Sequence, residues 1–467
     1  MTDRRRIVVA TADTLGARMA GPAIRATHIA EALAVDHDVR LVTTGSCDMA
    51  AASYQVAAVD EVGLRTAAQW SDILIIQGWI LAGRPWLTHF ESTIVCDIYD
   101  PMHLEQLEQG KDGTDDGWRH AVHGAMAALN DQLRVGDFFI CASEKQRDFW
   151  LGQLAGMGRI NPSTYEEDGS LRRLIDVVPF GTADEPLRCD RGAIRGVIPG
   201  IDHDSKVILW GGGIYNWFDP LTLITAVAAL HERHPDVRLV FMGLTHPNPE
   251  IPKMAVAAAA QALSAELGLT DRVVFFNEGW VPFAQRQEFL CDADIGVSTH
   301  FDHVETEFSF RTRILDYLWA GLPIVSTAGD SFAALIERSG AGIVVPPTDE
   351  PALEMALERL LVDADLAKRC AAASLELGES FRWSRVLEPL VAFCSDPRRA
   401  PDLLHPKQAQ LAASDHVMVT KAQGRIRNDL LTLRAYYREG GIGGVWANAA
   451  KRARRLLRLP PKADPPT

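Results

Sequence analysis

Short, unbroken apolar runs recur along this chain. Each is followed by a loop and then by a segment whose apolar positions recur at helical spacing. Runs of that kind read as strands of a parallel sheet, buried on both faces between helices. In the first half the predicted strands are Arg6–Ala10, Val39–Thr43, Ile73–Gln77, Thr93–Cys96, Asp137–Ala142 and Ile175–Pro179. In the second half they are Lys206–Trp210, Val237–Met242, Val273–Phe276, Ile295–Ser298 and Ile324–Thr327. Helices are predicted from Pro22 to Ala34, where proline suits the first turn, and after Ser143 as an N-cap. Two more run from Leu221 to His234 and from Ser309 to Ala320, the latter stopped by Gly321-Leu322-Pro323. The polar stretch Gln106–Gly117 reads as a loop over a cleft. The alternation predicts an α/β chain of two Rossmann-like domains, 1–190 and 200–395, with a helical basic tail over 396–467. The Gly-, Pro- and charge-rich segment Gly181–Pro199 joins the two.

In open parallel sheets, ligands bind beyond the carboxyl ends of strands, where helix N-termini offer free N–H groups to anions. The loop His300–Phe310 falls at such an end, with Glu305 and Glu307 on it and Arg311 and Arg313 just after it. Two carboxylates and two guanidiniums suit a ligand that has both hydroxyls and phosphates. Gly211, Gly212 and Gly213 follow another predicted strand and let backbone N–H groups approach a diphosphate. Asn216, Ser309 and Phe310 lie on the same loops and complete a candidate donor-binding set. In the first half, Gly16, Gly21 and Arg25 follow the first strand, although GxGxxG is absent.

The run RTRILDYLWAGLPIVSTAGD, residues 311–330, resembles the donor-binding signature of family 4 glycosyltransferases, which have the GT-B fold. The resemblance implies two Rossmann-like domains facing a central cleft, with helices after Pro351 crossing back to the first. It implies that Asp316 bonds the ribose of a nucleotide-sugar. It also implies that an upstream glutamate touches the donor sugar, Glu307 or Glu305 here. The family normally holds the phosphates with an Arg and a Lys beside Gly211–Asp219. Neither is present, which leaves Arg311 or Arg313 as substitutes. Gly21, Arg25, Asp97, Asp100 and His103 match the acceptor side, His103 with Glu305 and Glu307 forming the candidate catalytic set. The implied reaction moves a sugar from a nucleotide-sugar co-substrate to a glycan or lipid-linked acceptor. It retains configuration and needs no cofactor or metal. The alternatives are a sugar-nucleotide epimerase and a non-catalytic scaffold subunit of a membrane glycan complex, the latter favoured by the missing Arg/Lys pair.

A chain of 467 residues has room for two domains and a tail. Its net charge of −14 argues against nucleic acid as a partner. Seven scattered cysteines, with no CxxC pair, read as free thiols in a reducing cytoplasm. Asp292-Ala293-Asp294 matches a metal-binding DxD pattern but precedes a strand on the far side of the expected cleft, and reads as structural. His300-Phe301-Asp302-His303 lacks a second cluster to complete a metal site. The N-terminal apolar run is too short for a signal peptide. Asp429–Arg438 reads as helical, and Gly440–Gly444 breaks it. From Trp446, a helix sets Trp446, Ala450, Ala453 and Leu457 on one stripe, with Lys451, Arg452, Arg454, Arg455 and Arg458 around it. That pattern predicts contact with an anionic membrane surface. The expected location is cytoplasmic, peripheral on the inner face of the cell membrane.

Overall fold

A computed structural model describes residues 4–111, 115–244 and 254–404. Met1–Pro401 form one compact unit. The tail segments from Asp429 onward lie outside the described residues.

The compact unit is built on two sheets, every named pairing of which is parallel. The first holds β1 (Arg6–Thr11), β2 (Asp38–Thr43), β3 (Gln55–Ala58), β4 (Ile73–Gln77), β5 (Thr93–Asp97), β6 (Phe138–Cys141) and β7 (Ile175–Val177). Their spatial order is β3-β2-β1-β4-β5-β6-β7. The second holds β8 (Lys206–Trp210), β9 (Val237–Phe241), β10 (Val274–Phe276), β11 (Ile295–Ser298), β12 (Ile324–Thr327) and β13 (Gly342–Val345). Its order is β10-β9-β8-β11-β12-β13. The chain moves outward to one edge, then returns to the centre and proceeds to the other, so each sheet has a topological switch point. These lie between β1 and β4 and between β8 and β11. The crevices at such points are where doubly wound folds take ligands. The two-domain GT-B architecture implied by the sequence is therefore the observed one.

The central strands are buried on both faces. Ile7, Ile73, Val95, Ile208, Val297 and Ile324 are all at 3 % exposure or less, each contributing roughly 1.5–3 kcal/mol of apolar burial. A tyrosine fixes the second domain's centre. Tyr317, on the helix Thr312–Ala320, runs its ring across β11 so closely that a Cβ at Gly296 would lie 2.3 Å from the ring. Its hydroxyl reaches the carbonyls of Leu209 and Val297 at 3.0 and 2.9 Å and accepts from Gly211 N at 2.7 Å. The helix is thereby pinned over the switch point.

The helices beyond Glu350 cross back to the first domain as the resemblance implied. Thr182 and Arg382 form an isolated bridge. Phe393 stacks on Phe138 with ring centroids 4.3 Å apart, and Arg399 bonds Asp137 at 2.9 Å.

Three expectations need correction. Gln106–Gly117 is not a continuous loop: Met102–Gly110 is a helix, and a second helix begins at Asp115. Met102 and Leu104 are its buried anchors. The helix Ser309–Ala320 begins later, at Thr312, after a separate short helix Val304–Phe308. The cysteines are not all free, since Cys189 and Cys291 form a disulfide. Their 102-residue separation is closed by the linker, which is bound to the second domain. Ile194 N and Arg195 N donate to Asp292 at 2.7 and 3.1 Å, and Asp294 accepts from Val207 N at 2.7 Å and pairs with Arg195. The DxD acids thus hold linker and strand together, and Cys47, Cys96, Cys141, Cys370 and Cys394 remain thiols.

Candidate functional site

Two cavities lie at the switch points and share Gly21, Glu105, Tyr215, Trp217, Phe310 and Arg311 in their walls. The smaller, about 250 Å³, is bounded by Gly211–Gly213, Trp280, Arg286, Arg313 and Asp316 from the second domain, with Phe180 and Trp383 opposite. The larger, about 600 Å³, is lined mainly by the first domain.

The glycines follow β8. Gly212 has φ +72° with open space where a Cβ would point, a conformation glycine adopts without strain. The loop they begin is tied to the end of β11: Asp219 N donates to Thr299 O at 3.0 Å, and Thr299 returns a hydroxyl bond to Asp219 O. Arg313 lies beneath this loop at 7 % exposure. Its Nη2 donates to Gly213 O at 2.8 Å, and its guanidinium sits 4.3 Å from the Trp210 ring and 3.9 Å from that of Phe218. Nη1 has no partner. Burial lowers its pKa to about 10, as low dielectric disfavours an unpaired cation.

Arg311 differs. It donates to both oxygens of Glu305 at 2.8 and 2.7 Å, a bidentate pair buried on both sides. Asp316, at the smaller cavity's wall, has Arg286 Nε 3.1 Å away. Burial raises its carboxyl above the ordinary range, which Arg286 partly opposes. Arg313 is thus not the neighbour of Asp316; that place belongs to Arg286, which sequence reasoning did not single out. Thirty residues and a strand separate the two in the chain, so no local spacing signals the pair.

In the first domain, Arg25 is fully buried. It donates to both oxygens of Asp97 at 2.7 and 3.0 Å and to the carbonyls of Pro179 and Val178, each at 2.9 Å. Arg25 is neither solvated nor open to a ligand, because its hydrogen-bonding capacity is used inside the domain. Gln77 extends the network from Thr11 to Asp97 at 3.0 and 3.2 Å. Asp97 still borders the larger cavity, together with Asp13, Asp100, Glu105 and Glu305. Burial, then the charges of Glu305, Asp13 and Asp97, push Asp100 up to about 7. Burial, then Asp100 and Glu305, push Glu105 well above the usual carboxylate range. Glu105 was missed because its helix reads as a polar loop.

Other predicted residues fall elsewhere. Glu307 pairs with Lys145 across the domains at 2.5 Å and borders neither cavity. His103 stacks on Phe149 with centroids 5.7 Å apart, its pKa lowered by burial, and also borders neither. Asn216 bridges Gln109 O and Val256 N, each at 3.3 Å. Ser309 and Phe310 line the larger cavity, and Gly21, where a helix starts, lines both. Gln146 closes the domains together, donating to Tyr99 O and Phe308 O at 2.9 Å each. Among the described residues, no group of three or more His, Cys, Asp or Glu could hold a metal ion, and no helix is long and apolar enough to cross a membrane.

Residues 205–363 match the family model described as "Glycosyl transferases group 1". Similar proteins include the D-inositol 3-phosphate glycosyltransferase of Stackebrandtia nassauensis, 26% identical over 215 residues, covering 43% of this chain and 46% of the relative. The enzyme of the same name from Streptomyces griseus subsp. griseus is 26% identical over 309 residues, 60% of this chain and 63% of the relative. The match thus spans about half of the first relative and under two thirds of the second. Among solved structures, a sucrose-phosphate synthase from Thermosynechococcus elongatus shares the fold with TM-score 0.61 at 16% identity, covering 84% of this chain and 98% of that one. Anabaena Alr3699/HepE in complex with UDP-glucose does so with TM-score 0.59 at 14% identity, covering 83% and 98%. The signature helix, the fold, the matched second domain and these relatives together support a family 4 glycosyltransferase of the GT-B class.

Proposed function

We propose that the protein moves a sugar from a nucleotide-sugar to a hydroxylated acceptor, with the smaller cavity taking the donor and the larger the acceptor. One observation carries this reading: Gly211–Gly213, Arg313, whose Nη1 has no partner, and Asp316 all border a single cavity. That set matches a diphosphate at one end and a ribose at the other. Arg313 supplies the charge the family usually draws from an Arg/Lys pair, which weakens the case for a non-catalytic scaffold. The adjoining larger cavity gives an acceptor room that an epimerase would not need.

Catalysis would rest on positioning and on stabilising the departing diphosphate, without a cofactor or a metal and with retained configuration. Gln146 and the Lys145–Glu307 pair would hold the domains closed and keep water from the donor. The Anabaena neighbour's complex makes UDP-glucose the first donor to try. Thermal unfolding against UDP-, ADP-, GDP- and dTDP-sugars tests the donor site, since a ligand at 100 times its Kd stabilises by about 2.7 kcal/mol. A clear rise in Tm with one of these nucleotides is expected, and no rise with any of them would overturn the assignment.

The acceptor would be a glycan or lipid-linked molecule of polysaccharide or glycolipid assembly, reached at the inner face of the cell membrane through the basic tail. Each Lys or Arg near an anionic bilayer contributes about 1 kcal/mol. Deleting residues after Gly444 should therefore abolish salt-sensitive sedimentation with anionic liposomes and leave nucleotide binding intact. Equal sedimentation of both forms would remove the membrane role.

A further inference from the structure

Resting on the reading that the larger cavity takes the acceptor, we infer that the unit the acceptor places there is an unphosphorylated polyol with an amino group, such as an amino sugar residue or an aminocyclitol. Among the described residues, the larger cavity is bordered by five carboxyl side chains, Asp13, Asp97, Asp100, Glu105 and Glu305. Among the described residues its single bordering cation is Arg311, whose two Nη groups are taken by Glu305 while its Nε has no partner. Arg25, behind the wall, is likewise taken up by Asp97 and two carbonyls. A phosphate with close to two negative charges would face these carboxyl groups with one guanidinium, whose charge Glu305 already balances. An ammonium group would meet carboxyl groups whose ionisation burial and mutual repulsion disfavour, and would relieve that repulsion.

Two observations independent of the acids point the same way. Gln132 borders the cavity at 1 % exposure, and its Nε2 is used on Gly78 O at 2.9 Å. Its Oε1 has no partner. That oxygen only accepts, so it calls for a donor such as a hydroxyl or an ammonium group of the acceptor. Tyr215 and Trp217, stacked with centroids 4.9 Å apart and ring planes nearly parallel, form another part of the wall. Aromatic faces beside carboxylates suit a sugar ring bearing a cation. The feature that would favour an anion is the helix start at Gly21, and it borders both cavities. Its N–H groups are thus within reach of the donor's diphosphate where the two spaces meet. The relatives' name specifies a phosphorylated acceptor, D-inositol 3-phosphate, so this wall marks a divergence in substrate class.

The test uses the full-length protein saturated with UDP, or with whichever nucleotide stabilises it, and measures binding of matched probes by calorimetry. The probes are glucosamine, glucose and glucose 6-phosphate, together with scyllo-inosamine, myo-inositol and myo-inositol 1-phosphate. In at least one set the amine should bind tenfold or more tightly than the phosphate and more tightly than the neutral polyol. Asp13→Asn and Asp100→Asn, which border only the larger cavity, should narrow the amine-to-polyol ratio several-fold while the nucleotide Kd stays unchanged. Preference for a phosphate, equal binding within each set, no binding of any probe to the nucleotide-loaded protein, or an unaltered ratio in both variants would overturn the proposal. Absence of nucleotide binding would instead overturn the donor assignment beneath it.

Discussion

The two walls of the cleft treat buried positive charge in opposite ways. In the first domain Arg25 is matched completely, by both oxygens of Asp97 and two main-chain carbonyls, and it borders neither cavity. In the second domain Arg313 is nearly as buried, yet its ionic valence is unfilled. It has one carbonyl, two aromatic faces and an Nη1 with no partner. A cation satisfied by its own protein organises the fold. A cation held in low dielectric without a counter-charge is ready for an anionic ligand. Arg311 shows that closeness to the signature helix does not decide the matter: two residues from Arg313, it is bound bidentately to Glu305.

The contrast breaks most visibly at Arg25. Removing one member of a buried ion pair leaves an uncompensated charge and costs about 3–5 kcal/mol. Arg25→Ala should therefore lower the urea midpoint strongly, while the folded fraction binds UDP with normal affinity. Weak UDP binding in a protein of undiminished stability would mean that Arg25 belongs to the ligand site after all.

At Arg313 the opposite result is expected. Truncation removes a charged hydrogen-bond partner of the ligand, worth roughly 1.5–3 kcal/mol, so the UDP Kd should rise about tenfold or more. Stability should change less than in Arg25→Ala, because no carboxylate is orphaned. Arg311→Ala is the control: it orphans Glu305 and should lose stability more than affinity. If Arg311→Ala loses the affinity and Arg313→Ala keeps it, the two roles are exchanged.

How much of this could be read from the chain depended on where the information lay. Strands such as Lys206–Trp210, Ile295–Ser298 and Ile324–Thr327 appear with their predicted bounds, because burial on both faces leaves an unbroken apolar run. β3 escaped notice since Gln55–Ala58 is an exposed edge with no such run. β13 was likewise not singled out. The signature helix was legible as a block, but its charges were not legible as partners. The Glu305–Arg311 pair, the Arg25–Asp97 pair and the Asp316–Arg286 pair are set by tertiary placement, and the last two join residues 72 and 30 positions apart. The Cys189–Cys291 bridge was hidden for the same reason, and Glu105 because its helix reads as a polar loop. Sequence spacing brought candidate groups forward; it did not show that Glu307 and His103 border neither cavity, or which of the others already satisfy one another.

Asp316 tests the finest point of the comparison, whether an acid on the donor wall serves the fold or the ligand. Burial raises its carboxyl above the ordinary value. Between those two values the folded protein binds the proton that the unfolded chain releases, so stability falls as pH rises through that window. Above it the ionised group remains a net cost, lessened by Arg286 at 3.1 Å. Asp316→Asn removes the cost along with the ion pair, so at neutral pH stability should stay within about 1 kcal/mol of the parent, as for most changes without a buried orphan. The pH dependence of unfolding should also flatten across the window. A ligand role makes a separate demand. The amide keeps one acceptor oxygen but loses the charge, which weakens bonds to ribose hydroxyls by about 1 kcal/mol, roughly fivefold in Kd. The loss should be confined to ribose: UDP should weaken while dUDP changes little, bringing the two affinities together. A folded Asp316→Asn protein that separates UDP from dUDP as well as the parent would assign Asp316 to Arg286 alone and leave the donor's ribose without its carboxylate.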